Sequence, residues 1–399
     1  MSKEKVVLAY SGGLDTTFCA LFLSKELGHE VHAVMVDTGG YTAEELEAIK
    51  NKALSLGIAS YKCIHITDEF YDKCIKYLIM GNVLKNNTYP LSVSAERVFQ
   101  AIAIAQYAKE MQADAIAHGS TGAGNDQVRF DLVFNTIAPN ARIITPIRDF
   151  KFSREYEIDF LKKHGVDFEA KKVTYSLNVG IWGTSVGGKE TLSSHGQLPE
   201  EAYPTPCTAT QPLDVELTFE KGELKAIDGK AYANPVEAIH ALNAIAGPYG
   251  IGRDIHVGDT IIGIKGRVGF EAAAPCLIIK AHHLLEKHTL TKWQQFIKTQ
   301  LADWYGTLLH EGQYLDPTLR NIEAFFESSQ KYVSGKVFIT LHPHYFQLNG
   351  IESEHDLMSS KFGAYGEENK SWSGDDVRGF AKILGNQLSI FQKVNGVEF

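Results

Sequence analysis

Ala9-Tyr10-Ser11-Gly12-Gly13-Leu14-Asp15-Thr16-Thr17 is the stretch that decides the fold. It follows a short apolar run, Val6–Tyr10, that reads as a buried strand, and it opens a helix predicted from about Thr16 to Leu27, ended by Gly28. Two adjacent glycines let the backbone turn tightly and approach a ligand closely. The amides of the turn and of the first helical turn have no intrahelical acceptor, and with the helix dipole they favour an anion such as a phosphate. The hydroxyls of Ser11, Thr16 and Thr17 can donate to the same oxygens, and Asp15 sets a carboxylate beside them that suits Mg²⁺.

Working outward, Val31–Val36 and Cys63–Ile66 read as further strands, with Ala115–Ala117 and Ile143–Ile144 after them. Thr42-Ala43-Glu44-Glu45 is a capping-box pattern, and Ser94–Met111 carries apolar residues at helical spacing. Strands alternating with helices predict an α/β fold with a doubly wound parallel sheet, whose ligands lie at the carboxyl ends of the strands. After about residue 170 the texture changes. Val215–Phe219 and Leu224–Ile227 read as one hairpin, Val337–Leu341 and Tyr345–Leu348 as another, and Thr260–Ile264 as a strand. Asn234-Pro235 opens a helix, a long helical tract runs from about Pro275 to Leu309, and Asp375–Phe391 forms a terminal amphipathic helix. That helix either docks on its own chain or packs on a partner subunit. The second part reads as an α+β domain.

The chain has 399 residues and a formal net charge of −9, with 44% hydrophobic and 22% charged residues. This is ordinary globular usage, and the acidity argues against a nucleic-acid partner. Five scattered cysteines without a C-x-x-C pair argue against a disulfide framework and a thiolate zinc site, and point to a reducing compartment, the cytoplasm. No run of about 18 apolar residues occurs, so no membrane partner is expected.

The first loop is not a Walker A loop, because it lacks Gly-Lys-[Ser/Thr]. It resembles, in full, the Ser-Gly-Gly-x-Asp-[Ser/Thr] loop of the ATP pyrophosphatases, which implies cleavage of ATP between its α- and β-phosphates. A second loop, His118-Gly119-Ser120-Thr121-Gly122-Ala123-Gly124-Asn125-Asp126-Gln127-Val128-Arg129, places an amide, a carboxylate and a guanidinium together, a combination suited to a zwitterion. With this loop the chain resembles argininosuccinate synthetase over nearly its whole length. Tyr89-Pro-Leu-Ser-Val-Ser94-Ala-Glu-Arg97, Tyr175-Ser176 and Trp182-Gly183-Thr184-Ser185 resemble further substrate segments of that family.

The resemblance implies an ATP-dependent ligase of arginine biosynthesis. It would condense citrulline with aspartate through a citrullyl-adenylate, releasing AMP and pyrophosphate. ATP would be held by Ala9, Tyr10, Ser11, Gly12, Gly13, Leu14, Asp15, Thr16, Thr17 and Val36, with Gly119 near the nucleotide. Thr121, Asn125 and Asp126 would hold aspartate. Tyr89, Ser94, Asn125, Arg129, Ser176 and Ser185 would hold the citrulline-type substrate, with Arg97 on its carboxylate. Asp15 and Asp126 are the expected catalytic carboxylates, Asp126 accepting a proton from the attacking amine. ATP and Mg²⁺ are the expected cofactors, and no separate metal-ligand set is expected. The implied domains are a nucleotide-binding domain over 1–168, a synthetase domain over 169–368 and an oligomerisation helix over 369–399, in a homotetramer.

The chain departs from the family at one place. Carboxylates usual around citrulline's α-amino group are replaced at Asn178-Val179-Gly180, Gly187 and Gly258, and a tyrosine becomes Phe270. Two readings follow. The acceptor is an Nα-acylated citrulline, given room by Gly180, Gly187 and Gly258 and with Lys189 able to meet a succinyl carboxylate. Alternatively it is free citrulline, with other groups compensating. A tRNA thiolase of the same ATP class would need cysteines at the adenylation site, and Cys19 sits in an apolar helix position. A non-catalytic ATP sensor would have no use for Asn125, Asp126 and Arg129. His282, His283 and His288 read as a helix surface, His342 and His344 as one face of a strand, and Trp293, Phe296 and Trp304 as core or subunit interface.

Overall fold

The computed structural model describes residues 3–167, 175–359 and 371–397. Its first layer is a five-stranded, wholly parallel sheet: β1 (Lys5–Ala9), β2 (Glu30–Asp37), β3 (Ser60–His65), β4 (Ala115–Ala117) and β5 (Arg142–Ile144). The spatial order is β3-β2-β1-β4-β5, so the topological switch lies between β1 and β4. Helices Leu14–Leu21, Ala43–Ser55, Ser92–Glu110, Asp126–Ile137 and Arg154–Lys163 accompany it. Strand β1 is buried because both faces are covered: Val7 and Ala9 pack with the Ser92–Glu110 helix, Val6 and Leu8 with Phe18 and Leu161.

The remainder forms two antiparallel sheets. One joins the hairpins of Leu213–Glu220 with Glu223–Ile227 and of Gly335–His342 with Tyr345–Glu352. The other orders Arg253–Asp259, Lys265–Glu271, Thr184–Gly187 and Ser176–Asn178 side by side. Trp182 fastens this second sheet to the first domain, its indole N–H donating to the Pro90 carbonyl at 2.9 Å. Gly183 beside it has φ +121°, and a Cβ there would lie 2.8 Å from that of Ala272. That close approach requires glycine.

Several expectations are corrected. Thr260–Ile264 is not a strand but the turn between Arg253–Asp259 and Lys265–Glu271, closed by Gly263 at φ +83°. The tract from Pro275 to Leu309 is two helices, Ala273–Thr289 and Lys292–His310, because Thr291 and Gln294 form a capping box that starts the second. The terminal helix is likewise two, Gly374–Leu384 and Asn386–Asn395, meeting at Gly385. Neither buries any residue on its own chain, so docking on the chain's own body is not what the structure contains. The expected boundaries at 168/169 and 368/369 both lie outside the described residues. Among the described residues, no helix is long and apolar enough to cross a membrane.

Candidate active site

The loop after β1 is shaped by its own side chains. Gly12 adopts φ +77° and Gly13 caps the helix without any side-chain bond, which leaves the first-turn amides open to a ligand. Ser11 and Thr16 hydroxyls lie 3.2 Å apart, and the Ser11 amide donates to Thr16 Oγ1 at 3.3 Å. Lys52 Nζ donates to the Gly12 carbonyl at 2.7 Å and pins the turn from the Ala43–Ser55 helix. Thr17 differs from expectation. It is fully buried and its hydroxyl donates to the Gly12 carbonyl at 3.4 Å, so it shapes the loop from within.

The loop after β4 lies across the switch point from it. His118 is buried, accepts the Ser120 amide on Nδ1 and meets Asp131 through Nε2 at 2.9 Å, while Arg148 holds the other Asp131 oxygen at 2.7 Å. These bonds fix a loop that sequence alone shows only as glycine-rich. Its Gly119 sits against Asp15, where a Cβ would be 3.3 Å from the Asp15 Cβ.

Both loops open on one cavity of about 560 Å³. Ala9, Tyr10, Ser11, Gly13, Leu14, Asp15, Thr16 and Val36 line it from the β1–β2 side, Gly119, Thr121 and Asp126 from the β4 side, and Arg97 and Ser176 from beneath and beyond. Gly12, Thr17, Tyr89, Ser94, Asn125, Arg129 and Ser185 do not line it directly. Tyr41, Gln100 and Arg154 do, and no local pattern marks them in sequence; Asn178, from the Asn178-Val179-Gly180 segment, lines it too.

Asp126 is the meeting point. Arg97 Nε donates to its Oδ2 at 3.3 Å and Arg129 Nη1 to its Oδ1 at 2.8 Å. Burial would push the carboxyl's pKa up, but the two guanidiniums outweigh it and hold the pKa below the usual carboxylate value. The two guanidiniums thus hold Asp126 in its charged form between them. Arg97 is likewise engaged, donating to Gln100 Oε1 at 2.7 Å and Asn178 Oδ1 at 2.9 Å.

From Asp126 the contacts run round a closed circuit. Asn178 Nδ2 donates to Ser185 Oγ at 3.3 Å, and Ser185 stands opposite Phe270 in the ladder. The Phe270 ring lies 5.4 Å from that of Tyr89, which stacks on His256 at 5.2 Å. His256 faces His310 at 6.5 Å, and Arg129 Nε donates to the His310 carbonyl at 2.9 Å, returning to Asp126. Asn125 sits outside the circuit, accepting the Ile261 amide at 2.9 Å from the tip of the 253–271 hairpin. Ser94 is also apart: its hydroxyl donates to the Leu91 carbonyl at 3.4 Å within the helix start. The Tyr89 hydroxyl accepts the Val93 amide at 3.1 Å and Ser92 Oγ at 3.2 Å, and keeps its own proton to donate.

The two loops border one cavity, and the sequence comparisons say which family the chain resembles. A model described as the arginosuccinate synthase N-terminal HUP domain matches residues 5–167, and one described as the arginosuccinate synthase C-terminal domain matches residues 175–391. The chain belongs to the argininosuccinate synthase family. It is 36% identical over 398 residues to the argininosuccinate synthase of Dictyoglomus thermophilum, covering 99% of both chains. It is 35% identical over 407 residues to that of Xanthomonas campestris pv. campestris, covering 99% of this chain and 100% of the relative. It is 35% identical over 402 residues to that of Staphylococcus aureus, covering 99% and 98%.

Against this family background the weaker sequence signals resolve. Cys19 is wholly buried and burial pushes its thiol well up, so it offers no thiolate to an adenylated ligand. His282 is not on a surface but fully buried, between Asn82 Oδ1 at 2.6 Å and Gln330 Oε1 at 2.8 Å. His344 lies in the turn after the Gly335–His342 strand at φ +69° and does not share a strand face with His342. Trp293, Phe296 and Trp304 are exposed and are not core. The glycines expected to leave room do not all do so. A Cβ on Gly180 would lie 1.6 Å from Glu96 Oε1, and one on Gly258 would lie 2.6 Å from His256 Nε2. Lys189 is exposed on a single 3-10 turn, Lys189–Leu192, outside the circuit.

Proposed function

We propose that this chain is an ATP-dependent carbon–nitrogen ligase of arginine biosynthesis. It condenses a citrulline-type ureido acid with L-aspartate and releases AMP and pyrophosphate. The observation that carries the reading is that the phosphate loop, the 118–129 loop and Arg97 border one cavity. A nucleotide and two amino acids can meet there without crossing the sheet.

In the first step the ureido oxygen attacks the α-phosphorus, and the bond to the β-phosphate oxygen breaks. Pyrophosphate leaves from the open amides of Leu14–Thr16 at the helix start. The adenylated isourea carbon is then attacked by the neutral α-amine of aspartate, its bond to the AMP oxygen breaks, and one proton is lost. Thr121, Asn125 and Asp126 are assigned to aspartate, and Tyr89, Ser94, Arg97, Arg129, Ser176 and Ser185 to the acceptor. Arg97 and Arg129 face carboxylates while Asp126 keeps the two guanidiniums apart and oriented. Ser94 and Asn125 contribute by holding the helix start and the hairpin tip that border the site. Most of the rate enhancement comes from positioning and from charge stabilisation.

Mg²⁺ fits the donor set at the loop. Asp15 hydrogen-bonds to Glu157, which is 3% exposed with Oε2 unpartnered, and oxygen ligands of this kind suit a hard cation carried with phosphates. Bound there, it would neutralise charge on the departing pyrophosphate. Asp15 and Glu157 would orient it, and Arg154 supports the pair. The division into 1–168, 169–368 and 369–399 is supported by the change from parallel to antiparallel sheet. A homotetramer is supported by the exposed apolar terminal helices, the −9 charge supports the absence of a nucleic-acid partner, and five scattered cysteines without a C-x-x-C pair support residence in the cytoplasm.

ATP–pyrophosphate exchange tests the reading. Exchange should require a citrulline-type acceptor and should proceed without aspartate. Exchange with ATP alone, or none with any ureido acid, would contradict it.

A further inference from the structure

Two helices frame the phosphate loop and run side by side in the same direction. Phe18 of Leu14–Leu21 meets Phe160 of Arg154–Lys163 with ring centroids 5.1 Å apart, and Asp15 meets Glu157 nearer both helix starts. The two pairs keep step because each helix advances by three residues between them. One turn further back, about 5 Å along the axis, the same face carries Arg154, level with the Gly12-Gly13 turn. Ser153 fixes that end of the helix, its Oγ accepting the Tyr156 amide at 3.3 Å. Arg154 accordingly lines the cavity of about 560 Å³ together with Ser11, Gly13, Asp15 and Thr16.

Two guanidiniums stand among the described residues that line this cavity. Arg97 is committed to Asp126, Gln100 and Asn178. Arg154 is exposed, and among the described residues it makes no hydrogen bond and no ion pair within 4 Å. Its charge pulls on Asp15, Glu157 and Glu155 from a distance, and none of them closes on it. Asp15 and Glu157 bond each other, and Glu155 bonds the Ser153 side chain and its own amide. The other cations near the two loops are held elsewhere, Lys52 by the Gly12 carbonyl and Arg148 by Asp131. A cation on a helix's first turn also works against the helix dipole, so helix stability does not favour an arginine there.

Adenylation brings dense negative charge to this end of the cavity. As the ureido oxygen bonds to the α-phosphorus, the electron pair of the breaking bond stays with the bridging oxygen and leaves on the β-phosphate. The amides of Leu14–Thr16 and the hydroxyls of Ser11 and Thr16 offer only dipoles to it. Asp15 and Glu157 add carboxyls, which favour a cation over a phosphate. A guanidinium with its donors free meets the charge directly, and its planar fork spans two phosphate oxygens at once. Donors set in advance where charge develops act on rate as well as on affinity. We propose that Arg154 is a further catalytic residue, the guanidinium that binds the β- and γ-phosphates of ATP and takes up the charge of the departing pyrophosphate. This rests on the ligase reading above and names the group that serves its leaving group.

Calorimetric titration of the full-length protein with ATP and, separately, with AMP, both with Mg²⁺, compares the parent with Arg154→Met. Loss of the guanidinium should weaken ATP by about tenfold or more and leave AMP, which has no β- or γ-phosphate, within about twofold. Arg154→Lys should recover part of the loss, because the charge returns without the fork. Equal weakening of both nucleotides would make Arg154 a support for the shape of the loop and overturn the proposal. Unchanged ATP affinity, or a parent that binds AMP as tightly as ATP, overturns it too. ATP–pyrophosphate exchange is the second measurement: in Arg154→Met the KM for pyrophosphate should rise by about tenfold at an unchanged KM for the acceptor. Acceptor-dependent exchange that is the same in parent and variant removes Arg154 from the role and leaves the ligase reading standing. A parent that exchanges with no ureido acid overturns the ligase reading, and the leaving-group role with it.

Discussion

Glu96 is a carboxylic acid 2% exposed, with one oxygen unpartnered. Burial pushes its pKa up to about 8; Arg97, Thr38 and the Ile181 amide oppose this only in part, and Asp37 adds to it. The folded value lies above the ordinary 4.5, so its contribution to stability is fully present below about pH 4.5 and is lost as pH rises through 8. Glu96→Gln removes that titration. The variant should be more stable than the parent by about 1–3 kcal/mol at pH 8.5, with the gap closing toward pH 5. Denaturant melts at the two pH values check this, and equal gaps would contradict it. Glu96 stands in plain view within the Tyr89–Arg97 segment, but its burial depends on Gly180, over eighty positions away. At this scale the sequence discloses which groups are present. Which are neutral, paired or shielded depends on neighbours that arrive from other elements. Asp126 is the same case: its spacing to Arg129 is local, but Arg97 completes the clamp.

At the scale of elements, local rules were sufficient wherever a cap or a period was complete. Thr42 and Glu45 exchange both bonds of a capping box, at 3.2 and 2.8 Å, as their spacing predicts. Asn234 caps the helix opened by Pro235, its Oδ1 accepting the Val236 amide at 2.8 Å. The rule failed at Thr260–Ile264, where β-branched residues imitate a strand while their backbone turns to set the Ile261 amide on Asn125. The terminal helices raise a different question, since period alone cannot tell a docked face from a partner's. Phe380 and Leu388 are 65% and 64% exposed on them. Together they form an apolar surface of the kind that an assembly covers. Phe380→Asp with Leu388→Asp should therefore shift sedimentation from a tetramer to a smaller species while the circular dichroism of the fold is retained. An unchanged sedimentation coefficient would place the assembly elsewhere.

For the whole molecule, the strand order β3-β2-β1-β4-β5 places the carboxyl ends of β1 and β4 side by side, and with them the two loops that the sequence singles out. That part of the site was legible because phosphate binding needs a strand, a glycine turn and a helix in one continuous stretch. The ring contacts of Tyr89, His256, Phe270 and His310 were not, because these residues share no local pattern and meet only when the second antiparallel sheet folds back. Ser94 and Thr17, expected as direct contacts, also hydrogen-bond within the turns that border the cavity. The central claim is that the ureido oxygen of the acceptor attacks the α-phosphorus of ATP and departs with AMP. It is tested most directly with an acceptor labelled with ¹⁸O at the ureido position, turned over with ATP and aspartate, and mass spectrometry of the nucleotide product. The account predicts one label per AMP. Unlabelled AMP, or release of ADP, would contradict it.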